Sequence, residues 1–186
     1  MKGGSGPRRH EQQGGSVEVR SLPSERARQI AVVGSGSCTE GSEAWVLAEE
    51  VGRRLAEAGA TVVCGGLGGV MEAAARGAAE AGGTAIGIVP GRSLDEANPH
   101  CTHVVATDIG HARNLAVAAS GEAVIAVGGE WGTLSEIGFA RAIGRTVVAL
   151  RSWTLQGEGA MESAPGIFHA STAAEAVATA LEAIPG

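Results

Sequence analysis

What most constrains the fold of this chain is a rhythm. Short, largely apolar runs alternate with helix-length amphipathic segments, and three of the runs are closed directly by glycine. The runs are Gln29–Gly34, Thr61–Cys64, Thr84–Val89, His103–Ala106, Ala123–Val127 and Thr146–Leu150. They are too short for helices and rich in β-branched residues, which predicts buried strands. Between them, a helix from Ser42 to Gly59 carries Trp45, Leu47, Ala48, Val51 and Leu55 on one side. Further helices are predicted over Val70–Ala81, Gly110–Ser120, Gly132–Ile143 and Thr172–Ala183, and Trp153–Gly166 reads as a loop. Strands buried on both faces and alternating with helices stack in one way. The predicted fold class is α/β, a Rossmann-like three-layer sandwich around a mostly parallel sheet of about six to seven strands. Residues 1–28, polar and without periodicity, read as a disordered leader before a single domain over 29–186.

In such a sheet, ligands sit outside the carboxyl ends of the strands. Three glycine turns follow strands here, at 34–36, 65–69 and 128–132, and all would fall on that edge. The stretch Val124–Phe139 is the most informative of them: strand, glycine break, then helical spacing through Leu134, Ile137 and Phe139. A helix N-terminus directly after a glycine turn offers free N–H groups and the positive end of a dipole, which attract a phosphate. The dinucleotide fingerprint fails, however. Gly34-x-Gly36 lacks its third glycine and no acidic residue closes the second strand, so NAD is disfavoured.

Composition removes other classes. With 186 residues, 44% hydrophobic and a net charge of −6, the chain lacks the basic balance expected of a nucleic-acid or membrane-surface protein. No run approaches the roughly 18 apolar residues a membrane span needs, and the expected setting is the cytoplasm. Lys2 is the only lysine and lies in the leader, which excludes a pyridoxal Schiff base or a Walker-type lysine in the folded part. Cys38, Cys64 and Cys101 have no C-x-x-C spacing, so neither a disulfide frame nor a metal site is implied; they read as small buried or loop residues.

Four motifs in order resemble a known group: Gly65-Gly66-Leu67-Gly68-Gly69-Val70-Met71, Gly87-Ile88-Val89-Pro90, Arg113, and Gly128-Gly129-x-x-Gly132-Thr133-x-x-Glu136. Together, over about Gln29 to Leu150, they resemble the LONELY GUY (LOG)-like superfamily, and most of all its molybdenum-cofactor carrier-like branch. The resemblance implies a Rossmann-like fold that assembles as a homodimer or homotetramer through helices and binds a phosphorylated nucleotide or pterin. No cofactor is required, and the molybdenum cofactor enters as bound cargo. LOG enzymes hydrolyse the N-glycosidic bond of nucleoside 5′-monophosphates, releasing base and ribose 5-phosphate, which is the alternative to a carrier. Against the enzyme motif, Gly128 stands for its proline, Glu130 for its second glycine and Asn114 for the lysine after its arginine. These departures favour binding over catalysis.

The residues implied are Gly34, Ser35, Gly36, Gly66, Gly68, Gly69, Asn114, Gly128, Gly129, Trp131, Gly132 and Thr133 for the ligand, with Arg113 on its phosphate. Glu136 and Arg113 would act in any catalysis. Each has a plainer alternative. Thr133-x-x-Glu136 is also the pattern of a helix capping box, as is Thr172-x-x-Glu175 where no chemistry is expected. Arg113 alone reads as a surface charge, and His111 as structural or solvated rather than a general acid. Trp131 either stacks on a ring or simply packs. Glu130 would repel a phosphate unless it turns outward. The small residues of Val70–Ala81 and the Gly138–Ile143 segment are candidate dimer faces.

Overall fold

The computed structural model describes Met1, residues 26–155 and residues 164–184. Residues 2–25 of the expected leader, Lys2 included, lie outside that range. Seven parallel strands form one sheet: β1 (Gln29–Gly34), β2 (Thr61–Cys64), β3 (Ala85–Val89), β4 (His103–Ala106), β5 (Ala123–Val127), β6 (Thr146–Leu150) and β7 (Ile167–Ala170). Their spatial order is β4-β3-β2-β1-β5-β6-β7, with every neighbouring pair parallel. The expected α/β three-layer sandwich is therefore what forms. The chain winds outward from β1 in one direction through β2, β3 and β4, then returns to the other side of β1 for β5. Between β1 and β5 successive loops part to opposite faces, and a crevice opens at their carboxyl ends.

Five helices cover the sheet: α1 (Glu43–Glu57), α2 (Val70–Glu80), α3 (Arg113–Ser120), α4 (Trp131–Ala142) and α5 (Ala173–Glu182). Helices α1, α2 and α5 bury one face, where Val51, Leu55, Ala73 and Ala74 pack on Ile30, Val32 and Val62. Helices α3 and α4 bury the other, through Val117, Ala118, Ile137 and Ala140 against Val33, Val63 and Val124. Strand β5 is buried along its whole length, which is why it reads as an unbroken apolar run.

Two expectations are corrected here. The small residues of α2 do not make a dimer face. Ala73, Ala74, Ala75 and Ala78 are all fully buried, and α2 lies against α1 within the same chain. Gly52 of α1 sits on the Ala74 carbonyl and Gly77 of α2 on the Glu49 carbonyl, so a Cβ at either would overlap backbone. The alanines and glycines serve this close helix pair. The second correction is β7, which follows the stretch read as a loop. It is an edge strand in which only Ile167 and Ala170 are buried while Phe168 and His169 face out. No apolar run or alternation marks it. Among the described residues, no helix is long and apolar enough to cross a membrane.

Candidate functional site

The three central strands β2, β1 and β5 deliver the three glycine turns to one edge of the sheet. Around them lies a crevice of about 180 Å³ lined by Gly34, Ser35, Gly36, Leu67, Met71, His111, Arg113, Asn114, Glu130, Gly132, Thr133 and Glu136. Helices α2, α3 and α4 all begin beside it, and none has a side-chain cap on its N-terminus. Helices α1 and α5, which begin elsewhere, are capped by Ser42 and Thr172. The first N–H of α2 goes to the Ser35 carbonyl at 2.9 Å, and α3 continues a 3-10 turn over Gly110–Ala112, so the start of α4 is the helix end that offers its N–H groups to an anion.

Arg113 is the first residue of α3 and is only 7% exposed. It gets in because position 65 is glycine. A Cβ there would lie 2.5 and 2.6 Å from the two terminal nitrogens of its guanidinium. Nη1 donates to Asn114 Oδ1 at 2.9 Å and to Glu136 Oε1 at 3.4 Å, while Nη2 meets only the Met71 sulfur at 3.9 Å. Nε is buried with no partner among the described residues. Among the described residues the Nε–Nη2 edge of the fork has no oxygen acceptor, but Nε is shut off from solvent, so an anion in the crevice would meet the guanidinium through its terminal nitrogens.

Glu136 lies one turn into α4 and is 6% exposed. Burial raises its pKa to about 7, against the downward pull of Arg113. Burial also lowers the pKa of Arg113, against the pull of Glu136. Desolvation outweighs attraction for both partners, as expected of an ion pair held out of water at 3.4 Å. Glu136 is consequently able to hold or release a proton near neutrality. It does not act as a capping residue: α4 starts at Trp131 with Glu130 at its N-cap, so the capping-box reading of Thr133 and Glu136 is overturned. The same spacing at Thr172 and Glu175 does cap, with the Glu175 N–H on Thr172 Oγ1 at 3.2 Å and the Ser171 N–H on the Glu175 carboxylate at 2.9 Å.

Glu130 turns inward across the crevice mouth rather than outward. Its Oε1 accepts the hydroxyls of Ser35 at 2.8 Å and Ser37 at 2.6 Å, and these two bonds hold its carboxyl below the usual range. Asn114 is buried; its Oδ1 accepts from Arg113 and its Nδ2 donates to Ser135 Oγ at 3.2 Å, so it positions the guanidinium. Thr133 is buried against Gly129, whose φ of 128° and lack of a Cβ that space requires.

The remaining expected residues lie nearby in other roles. Gly69 starts α2 with its Cα against the Ser35 and Gly36 backbone. Gly66 sits on Gly87, and with Gly68 it belongs to a loop tied by Asn98 Nδ2 to the carbonyls of Gly66 and Leu67 at 3.1 and 2.9 Å. Gly128 and Gly129 border a neighbouring recess with Arg151, Ser152 and Trp153. Trp131 is 77% exposed, its ring centroid 5.5 Å from that of Trp153. His111 is exposed at the crevice rim. Sequence reasoning missed Gly65, Leu67 and Met71. Gly65 carried a signal, being the first of two glycines directly after a strand; Leu67 and Met71 stand in the same motif, but nothing in its pattern marks them as lining the crevice.

Comparison with known proteins agrees with this geometry. The model of the SLOG cluster4 family matches residues 27–179. A relative, an uncharacterized protein from Archaeoglobus fulgidus, is 46% identical over 123 residues, 66% of this chain and 80% of the relative. Among solved structures, the molybdenum cofactor binding protein of Rippkaea orientalis is 30% identical with a TM-score of 0.76, covering 86% of this chain and 98% of that one. The molybdenum cofactor carrier protein of Chlamydomonas reinhardtii is 31% identical with a TM-score of 0.73, covering 85% and 98%. DNA processing protein A of Streptococcus pneumoniae, at 22% identity and a TM-score of 0.61, shares the fold alone. By its matched length, its parallel sheet and its glycine-lined switch-point crevice, the chain belongs to the SLOG cluster4 family, within the LOG-like superfamily that its motifs resemble.

Proposed function

We propose that the crevice at the carboxyl ends of β2, β1 and β5 binds a small phosphate-bearing ligand, a nucleotide or a pterin, and releases it unchanged. The molybdenum cofactor is one such cargo. One observation carries the reading: Arg113 lines the crevice as a largely buried guanidinium beside the N-termini of α2 and α4, which lack side-chain caps, and among the described residues its one carboxylate partner is Glu136 at 3.4 Å. Burying a guanidinium is costly, and an anion bound beside it in the crevice would offset the cost. The structural neighbours named for molybdenum cofactor support the same class of ligand. Titration calorimetry with AMP and with inorganic phosphate tests the assignment. Arg113→Ala should weaken binding by about 10- to 100-fold, the worth of a charge-assisted pair; undiminished affinity would remove Arg113 from the site.

A second reading rests on Glu136. A carboxyl with a pKa of about 7, facing a crevice that holds a phosphate, suits cleavage of an N-glycosidic bond. It would activate water at the anomeric carbon or stabilise the oxocarbenium-like charge, with Arg113 and the α4 amides holding the 5′-phosphate. Incubation with AMP, CMP, GMP and IMP separates the two readings. Free base would establish the hydrolase, and unchanged nucleotide with co-purifying pterin fluorescence would establish the carrier.

The assembly we propose is a homodimer through the outer side of α3 and α4. On α4, Ser135, Gly138, Phe139 and Ala142 are all exposed, spaced i, i+3, i+4, i+7, and on α3 Leu115 and Ala119 are exposed. The stripe bears no charge, and Gly138 leaves open space above it. This retains the Gly138–Ile143 segment as a dimer face and drops α2.

A further inference from the structure

Cys64 closes β2 and Cys101 lies two residues before β4, so the sequence separates them and gives no hint of a pair. The sheet brings them together. Cys64 is the cross-strand partner of Gly87, and partners in parallel strands project their Cβ atoms to the same face. A Cβ built on Gly87 would lie 2.6 Å from Cys101 Sγ and 3.3 Å from Cys101 Cβ. The Cys101 thiol thus occupies the place a side chain at 87 would take, directly beside the Cys64 side chain. Both belong to one apolar cluster, Cys64 fully buried and Cys101 at its edge with partial exposure.

We propose that Cys64 and Cys101 form a site of oxidative modification, a dithiol that a low-molecular-weight disulfide converts to an intramolecular disulfide. The two sulfurs are unequal. The neighbouring Cys64 thiol lowers the Cys101 pKa, while the same contact and burial raise that of Cys64. Cys101, partly exposed and the better thiolate, is the attacking sulfur. Its thiolate attacks one sulfur of the small disulfide, forms a mixed disulfide and releases one small thiolate. Cys64 then gives up its proton, attacks Cys101 Sγ and displaces the second small thiolate. The protein loses two electrons and two protons, and the small disulfide is reduced to two thiols.

Closure would be felt in the crevice. Cys64 is followed at once by Gly65, whose Cα faces the Arg113 guanidinium, and Asn98 ties the loop at Gly66 and Leu67 to the segment carrying Cys101. Any pull between the sulfurs moves the loop that admits Arg113.

The test uses the full chain treated with oxidised glutathione, then alkylated under denaturing conditions and mapped by mass spectrometry. The expected result is loss of two of the three free thiols, a Cys64–Cys101 cross-linked peptide, and Cys38 still alkylated. Cys64→Ser should trap a stable glutathione adduct on Cys101, and Cys101→Ser should leave Cys64 unmodified in the folded protein. Three results would overturn the proposal: full retention of thiols, modification confined to Cys38, or a persistent Cys101 adduct in the wild type without cross-link. These readouts do not depend on what the crevice binds, so they stand or fall apart from the ligand assignment. Its effect on the site is read separately as a change in AMP affinity on oxidation.

Discussion

At the scale of single residues, the crevice is a contest over Arg113. Glu136 holds one side of it, and the other side lacks an oxygen partner. Glu130 adds a second negative charge at the mouth, held ionised by Ser35 and Ser37. A bound phosphate must face that charge, so Glu130→Gln should tighten phosphate binding several-fold and make it less sensitive to salt, as read by titration at two ionic strengths. Glu136 gives a prediction with a definite sign. Its folded pKa, about 7, stands well above the roughly 4.3 of a free glutamate, so between these limits the folded state binds more protons than the unfolded one. Stability therefore falls as pH rises through that window, by an amount on the order of 2–3 kcal/mol at about 1.4 kcal/mol per unit. Denaturant titrations at pH 5 and pH 8 should show this loss in the wild type, and a smaller loss in Glu136→Gln.

At the scale of elements, one four-residue pattern does two jobs. Thr172-x-x-Glu175 precedes α5 and caps it, whereas Thr133-x-x-Glu136 lies inside α4 because that helix starts at Trp131. Position relative to the helix start decides the role, and spacing alone does not reveal it. Thr172→Ala should cost about 1 kcal/mol, seen as a lower denaturation midpoint with unchanged ligand affinity. The α1–α2 pair carries a similar lesson. Small residues mark a close helix contact in any case, but whether the partner lies in the same chain or in another copy depends on where the sheet puts the helix.

For the whole molecule, the strand order is what creates the site. Strand β1 sits between β2 and β5, so turns separated by tens of residues along the chain open onto one crevice. The neutral stripe on α3 and α4 is one surface left uncommitted, with Leu115 and Phe139 each more than a third exposed. A charge there should block association, so Phe139→Glu should shift the light-scattering mass from dimer to monomer while leaving the circular dichroism spectrum unchanged. If the wild type is already monomeric, the stripe is not a self-association face.

Local periodicity determined much of this protein. Six strands, all five helices and the three glycine turns follow from apolar runs and their punctuation; in the inner strands burial on two faces leaves its mark on most residues, while edge strand β4, with no buried residue, shows only through Val104 and Val105. The exposed edge strand β7 left no such mark. Through-space neighbours were beyond sequence: Gly65 making room for Arg113, Arg113 reaching Glu136, Glu130 bending back to Ser35 and Ser37, and Cys101 resting on Gly87 beside Cys64. Backbone preference acts within a few residues, whereas these contacts arise only once the strands have chosen their neighbours. Pairing in the sheet, a tertiary event, turned a recognisable set of motifs into a single crevice.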